Sequence, residues 1–588
     1  GNTASDIFNW TYIPKFVSTW NTEAGDSGNK TVTLPLVSSG SYNFTVDWGD
    51  GSSDTITAYD QVLSGESVAV THTYSSVETN ITVTIDGTIT GWRFNNGGHK
   101  LKLLTISNWG SLNISTNSAF YGCTNLTVSA SNAPTVSSTD LQKTFQDCTN
   151  FNGNIGTWDV SNVTNMSSMF QSATAFNNGG SDSIKNWNTS SVNNITNLFL
   201  GASAFNQPIN TDVDKWDVSG VGDLGTTFGN ATSFNQDLNG WDVSNVTNMN
   251  SAFSGASSFN GNITSWNVSS VATMNSVFKN ASAFNQNLNG WTVSSVTTFQ
   301  SMFHNASSFN QALNNWNFKT SGTISMQSMF TGAVAFNSSD NFTGIGLSNW
   351  DTSNVTTMIN MFAYCEDFNA DISNWNTANV TNMVSMFKDA TSFNQNIGAW
   401  NVANVTDFTE LFRNCTAFDN GGSDDINNWN TGNVTSMYRT FKKATSFNRD
   451  ISGWDTSSVT SMRYMFSEAT VFNKAIPTSG SDWDVSNVTI MGHMFDRALA
   501  FDQDLSTWDF SGVTNTSQGF NEFMNGKTST NKMSTVNYNK LLVRLDATNS
   551  TDNHSLDGGG ATATDGGAGG NGATARTNLE TDHSWTIV

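Results

Sequence analysis

Along residues 158–509, the position after each recurring tryptophan is filled by a residue with a side-chain oxygen. In order these are Asp159, Asn188, Asp217, Asp242, Asn267, Thr292, Asn317, Asp351, Asn376, Asn401, Asn430, Asp455, Asp484 and Asp509. Carboxylate and amide oxygens repeated at one register position are hard donors, suited to Ca²⁺ or to sugar hydroxyls. The candidate ligand-binding residues are therefore Asp159, Asp217, Asp242, Asp351, Asp455, Asp484 and Asp509. The competing explanation is a solvated face on which Asn dilutes the repulsion between neighbouring Asp, and it is the simpler one for any specific ligand. Inverting the ladder, so that Trp faces out and stacks on sugars, buries the carboxylates instead, at several kcal/mol for each unpaired charge. A second candidate, for calcium, is Asp47 with Asp50 in DWGDG, although the glycines also explain that text as a tight turn. No other cofactor is called for.

Catalytic chemistry is not written in the chain. There is no GxSxG, HExxH, P-loop or CxxC, and the histidines (His72, His99, His304, His493, His554, His583) never pair at ligand spacing. The expectation is a protein that is not an enzyme. Cys123, Cys148, Cys365 and Cys415 all occupy one small-residue slot of the repeat. Cys365 and Cys415 are separated by a whole unit holding Ala390, too far for a bridge; a Cys123–Cys148 bond is open but strained; small buried thiols fit better.

The elements that position these residues come from a repeat. WDVSNVTNMSSMF at 158–170 returns as WDVSNVTNMNSAF at 241 and WNTANVTNMVSMF at 375, mostly 25 residues apart, with steps of 29 and one of 34. A fixed period of this size is the signature of a solenoid. Within one unit, Val163, Met166, Phe170 and Ala173 are spaced as one stripe of a short helix, with Ser161 as its N-cap. Trp158 and Val160 alternate with Asp159 and Ser161 as in a strand. Like residues should stack, giving one column through Phe170, Phe199 and Phe228 and another through Phe176, Phe205 and Phe234, with the Asn after the second Phe satisfying loop backbone. The crossover rule makes the stack right-handed, and sixteen units at about 4.8 Å give a body about 80 Å long. Insertions enter only between the second Phe and the next Trp, so the loops 177–186, 206–215, 337–349, 419–428 and 473–482 share an edge, where a contact surface is expected. The N-x-S/T triplets are glycan acceptors in a eukaryotic secretory pathway, or simply helix starts.

The W-D/N-V-S-N-V-T-N-M…M-F…A-x-x-F-N unit resembles the repeat of BspA-like leucine-rich-repeat surface proteins, also known from mycoplasma lipoproteins; similar repeats occur in phage and viral surface proteins. VDWGDGSS at 46–53, THTY at 71–74 and NITVTI resemble a PKD-like β-sandwich. VNYNKLLVRL and ARTNLETDHSWTIV resemble the closing module of such proteins, with the Gly/Ala-rich 558–573 as an insertion. The resemblance implies an α/β solenoid of leucine-rich-repeat type behind a small β-sandwich: an N-terminal arm at 1–14, the PKD-like domain at 15–97, the repeats at 98–520 and a cap at 521–588. It also implies an extracellular protein at a cell or virion surface, adhering to a cell-surface protein or glycan; the alternative is a coat or filament subunit bound to copies of itself.

Composition sets limits. The chain has 588 residues and a formal charge of −23, which disfavours nucleic acid and anionic membranes as partners. No apolar run reaches the roughly 20 residues of a membrane span. A start at Gly1 without a leader pattern suits a mature, secreted product.

Overall fold

A computed structural model describes residues 14–25, 29–59, 70–210, 216–337, 346–476, 483–527 and 530–588. Nearly all of the expected N-terminal arm, residues 1–13, lies outside them. The chain divides into two compact units, residues 1–271 and 272–588.

The first unit opens with antiparallel strands whose side chains alternate between core and solvent. They are β1 (Phe16–Trp20), β2 (Thr31–Thr33), β3 (Tyr42–Asp47), β4 (Ser53–Ile56), β5 (Thr71–Thr73) and β6 (Ile81–Ile89), followed by β7 (Leu103–Asn108), β8 (Asn113–Ile114), β9 (Thr127–Val128) and β10 (Thr135–Val136). In β3 the pattern YNFTVD buries Tyr42, Phe44 and Val46 and exposes the residues between. One sheet has the order β4-β3-β6-β1-β7-β9, while β2 pairs with β5 separately. β7 joins β1 antiparallel and β9 joins β7 parallel, so the first repeats extend the N-terminal sheet.

The repeats stack differently from the helix-and-strand expectation. Over residues 166–173 the chain makes consecutive tight turns and no helix. The amides of Met169, Gln171 and Ala173 close onto the carbonyls three residues back, while those of Met166, Ser168, Phe170 and Ser172 donate to Asn194, Thr196, Leu198 and Leu200 of the next copy. An α-helix would direct those alternate amides to carbonyls within its own segment. Sending them to the neighbouring copy requires a left-handed residue every fourth position, here Ser168 (φ 56°) and Ser172 (φ 57°). The apolar spacing survives because a four-residue double turn and a helix both return Met166 and Phe170 to one side. The α component of the expected α/β solenoid is therefore corrected: the described repeats hold only short 3₁₀ segments, in the long inserts.

The expected strand is also shifted. Trp158 and Val160 are buried with Asp159 exposed between them, but the cross-repeat bridges fall further on, at Asp140–Asn165 and Asn165–Asn194 in the first unit, and at Ser436–Ser461 and Ser461–Ile490 in the second. Most of these Trp are fixed by the indole N–H, which in Trp158 and Trp483 is buried without a partner: Trp187 donates to the Ile155 carbonyl (3.0 Å), Trp216 to Ile184 (2.8 Å), Trp400 to Ile372 (3.1 Å) and Trp454 to Ile426 (2.9 Å).

Both phenylalanine columns are present. In the first unit Phe145, Phe170, Phe199, Phe228 and Phe253 follow one another at 5.3–5.9 Å between ring centroids, and in the second Phe278, Phe303, Phe330 and Phe362 at 5.4–5.7 Å. Within a repeat the two columns touch, as at Phe303–Phe309 (4.0 Å). The Asn after the second Phe forms a ladder: Asn177 Oδ1 accepts the Asn206 amide (2.9 Å), and Asn206 Oδ1 accepts that of Asn235 (2.9 Å). The threonine of the N-x-T triplet does not start a helix; Thr164 and Thr435 donate their hydroxyls to carbonyls of the preceding copy. All four cysteines are free and buried, and Cys148, Cys365 and Cys415 direct their thiols at carbonyls one copy back.

The second unit ends in a cap. There helix α1 (Thr535–Thr548) packs against α2 (Gly572–Asp582) and β13 (Ser555–Leu556) pairs parallel with β14 (Thr586–Ile587), while within the repeats β11 (Ile324–Ser325) pairs parallel with β12 (Val355–Thr357). The last rung of the ladder, Asp502, accepts the Ser534 amide and hydroxyl at the α1 N-terminus, while Asn549 donates to the Phe510 and Val513 carbonyls. The Gly/Ala-rich segment is pressed against α1: a Cβ on Gly572 would lie 2.2 Å from Asn539 Oδ1, so only glycine allows that approach.

Replacing Phe303 with Ala empties a fully buried slot between Phe278, Phe330 and Phe309. The expected cost is about 3–5 kcal/mol, with faster hydrogen exchange appearing first in the amides of residues 278–336. A denaturation midpoint equal to the parent's would contradict the column's role.

Candidate functional site

The residues after each Trp are engaged locally. Asp159 Oδ1 accepts the Ser161 amide (3.1 Å) and hydroxyl (2.7 Å), and Asp217, Asp242, Asp351, Asp455, Asp484 and Asp509 each take the amide two residues on. These are Asx turns. The Ser161 amide accordingly goes to Asp159, so it is Asp159 that shapes this turn and there is no helix for Ser161 to cap. Bonds from Ser161, Ser244 and Ser353 hold the carboxyls of Asp159, Asp242 and Asp351 below the usual range. Among the described residues no three of these carboxylates approach closely enough to share one cation.

Asp47 and Asp50 also close turns. Asp47 Oδ1 accepts the Gly49 amide (2.9 Å) and Asp50 Oδ1 the Ser52 amide (2.9 Å) and hydroxyl (2.5 Å). THTY completes the knot: His72 Nε2 meets Asp50 Oδ2 at 2.8 Å, its ring stacks on Trp48 at 4.9 Å, and Tyr74 donates to the Trp48 carbonyl. The Ser52 hydroxyl, with His72 beside it, lowers the Asp50 pKa to about 2.

Two of the expected contact loops are wholly described and are built alike. In each a buried Asn, Asn178 or Asn420, accepts an amide of the preceding copy (Ile155 or Ile397) and donates to the loop's own Ser181 or Ser423 carbonyl. Parts of the loops at 206–215, 337–349 and 473–482 lie outside the described residues.

A different face stands out once the turns are aligned. The first left-handed position of each repeat is small in most copies before residue 410, as at Ser168, Ser251, Ser276, Ser301 and Ser385, with Lys143 an exception. Later it is occupied by Glu410 (φ 57°), Arg439 (φ 59°), Tyr464 (φ 59°), His493 (φ 60°) and Glu522 (φ 50°). Bulky side chains seldom adopt this conformation, and it costs about 1–2 kcal/mol per residue.

Their side chains form one network in the second unit. Glu410, mostly buried, meets Lys388 Nζ at 2.7 Å, Arg413 Nη1 at 3.1 Å and Arg439 Nη1 at 3.0 Å. Burial alone would raise its pKa, but hydrogen bonds from Lys388 and Arg439 hold it below the carboxylate range. The Arg439 guanidinium lies 4.6 Å from the Tyr438 ring centroid and 5.1 Å from that of Tyr464, while Arg463 (4.9 Å) and Lys442 (4.5 Å) also cover Tyr464. Burial lowers the Lys442 pKa. Tyr464 in turn stacks on His493 at 4.2 Å and 11°. The Nε–H groups of Arg413, Arg439 and Arg463 are buried without a hydrogen-bond partner. Such a surface offers cations and aromatic faces together, the chemistry that holds an anionic or ring-bearing group.

Repeats joined by backbone ladders and two aromatic columns define a tandem-repeat protein. The sequence family described as "Mycoplasma protein of unknown function, DUF285" matches residues 93–183, 178–265, 237–342, 334–424 and 420–535, and the chain belongs to it. No curated protein and no solved structure matches.

The Asp50 carboxyl, charged more readily when folded, stabilises the first unit above the unfolded value near about 3.9 and loses that contribution as pH falls toward about 2. Asp50→Asn protein should therefore lose less thermal stability than the parent between about pH 5 and pH 2. Equal slopes in calorimetry would contradict the knot.

Proposed function

We propose that this is a non-enzymatic extracellular recognition protein, a BspA-like leucine-rich-repeat solenoid behind a PKD-like domain, whose contact surface is the Glu410–Arg439–Tyr464–His493 face. One observation carries the reading. In a repeat protein the fold requires what recurs, and Ser276 or Ser301 shows that a small residue suffices at the left-handed position. Arg, Tyr and His there impose backbone strain that the repeat does not need, and strain retained against local preference clusters at functional positions. The expected partner is a cell-surface protein or glycan bearing anionic groups, met by Arg439, Lys442 and Arg463. The W-D-V-S-N-V-T-N-M unit supports the BspA-like reading, and the VDWGDGSS–THTY knot supports the PKD-like one.

The test is Tyr464→Asn, since Asn tolerates the left-handed region better than Tyr does. Binding to intact cells or an array of acidic glycans should fall about tenfold or more, equivalent to about 1.4 kcal/mol, while stability stays level or rises by up to about 1 kcal/mol. The equivalent change Ser301→Asn should leave binding intact. Undiminished binding by Tyr464→Asn protein would refute the assignment, and ordered filaments without ligand capture would favour a coat or filament subunit.

A further inference from the structure

At the end of this face, beyond the cationic network, we infer a binding site for one divalent transition-metal ion of the zinc type, held by His493, Asp496 and Glu522. These three are the only group among the described residues whose His, Cys or carboxylate ligand atoms all lie within 4.8 Å of one another. His493 and Asp496 sit on one turn, with the Asp496 amide donating to the His493 carbonyl (3.2 Å). Glu522 occupies the same register position as His493 one copy later. The His493 amide donates to the Asn521 carbonyl (2.8 Å), so the cross-repeat ladder itself sets Glu522 beside the imidazole.

Two of the three ligand atoms are left without a hydrogen bond, Asp496 Oδ1 and His493 Nδ1. Asp496 is 6% exposed, and its Oδ1 has no hydrogen-bond donor; His493 is 8% exposed, and its Nδ1 makes no well-directed hydrogen bond. His493 Nδ1 and Glu522 Oε2 are 3.2 Å apart. Two ligands on a tetrahedral ion with bonds of about 2.0 Å are separated by about 3.3 Å, so this pair already spans one edge of such a polyhedron. Imidazole nitrogen with two carboxylate oxygens suits zinc better than calcium, and three protein ligands leave a fourth position for water or a partner's group.

Supporting contacts surround the ligands. Ser467 Oγ donates to Asp496 Oδ2 (3.4 Å), Asn525 Nδ2 to Glu522 Oε2 (2.9 Å), and Tyr464 stacks on the imidazole. Ligand orientation by such outer contacts is what metal sites require. The positive groups nearby are Arg497, whose Nε is 3.9 Å from Asp496 Oδ1, and Arg463 and Lys442, which act on His493. Burial raises the Asp496 pKa and lowers that of His493. With the metal on Nδ1 the ring proton sits on Nε2, which faces the Asn521 amide at 3.4 Å; a turn of that amide presents its oxygen. Equivalent positions in earlier copies hold Tyr464 with Ser467 and Arg439 with Lys442, so the set occurs once in the repeats.

This assignment stands independently of the recognition role. The full chain is stripped with chelator, titrated calorimetrically with Zn²⁺, and assayed for retained zinc after dialysis. The expected result is about one equivalent per chain, with affinity reduced about 10- to 100-fold or more in Asp496→Asn and in Glu522→Gln protein. Asp496→Asn preserves shape, so an unchanged circular dichroism spectrum separates lost binding from lost folding; His493→Ala adds a third ligand deletion. No retained stoichiometric zinc in the parent, or equal affinity in the Asp496→Asn and Glu522→Gln proteins, overturns the proposal.

Discussion

Every level of this molecule depends on where alternate turn amides send their hydrogen bonds. In the segment from Met166 to Ala173, half close local turns and half reach the next copy, so each backbone donor is satisfied without helix or long strand. A single copy has no partner for its outward amides and no neighbour for its phenylalanines. Stability is therefore shared between neighbours, as expected of stacked repeats. The same arithmetic explains the residue types: a left-handed backbone at every fourth position favours Ser, Asn and Gly, and these hold most such positions in the early copies, with Lys143, Asp147 and Thr226 as exceptions.

The ladder also makes a precise display. Residues at one register position are held one above another by bonds of 2.7–3.1 Å, as from Glu410 to Tyr438 and from Tyr464 to Gly492. A side chain placed there is aimed by backbone already fixed on both sides, so strain at Arg439 or Tyr464 does not unwind the turn. Cations, rings and carboxylates then meet across copies although they lie 25 to 29 residues apart in sequence. Burying Glu410 among Lys388, Arg413 and Arg439 is affordable only because three donors converge on it.

Some of this architecture was legible in the chain. Phe170 and Phe176 announced their columns because ring size and period leave few other packings, and Asn177 announced a ladder by recurring wherever the aromatics did. The spacing does not distinguish helix from turns, because Val163, Met166, Phe170 and Ala173 satisfy helical spacing and double-turn spacing equally; only the backbone sign at Ser168 and Ser172 separates them, and serine carries no mark of it. Asp159 falls on the exposed side of the Trp158–Val160 alternation, as the spacing predicts, yet its engagement by Ser161 two residues on makes it a turn former. The Arg439–Tyr464–His493 face is not marked by the repeat, because it lies where the residues depart from the recurring type. Its signal was present: serine at 276 and 301, and arginine, tyrosine and histidine at the matching 439, 464 and 493.

The alternate-amide ladder holds the repeats together, and amide hydrogen exchange resolved to single residues measures it directly. Phe303, Asn305, Arg439 and Phe441, which donate across copies, should be protected to nearly the extent of global unfolding, while Ser161 and Ser457, which donate only to a neighbouring Asp, exchange orders of magnitude faster. Protection running through 299–306 with the uninterrupted pattern of a helix, or fast exchange at Phe303 and Phe441, would contradict it.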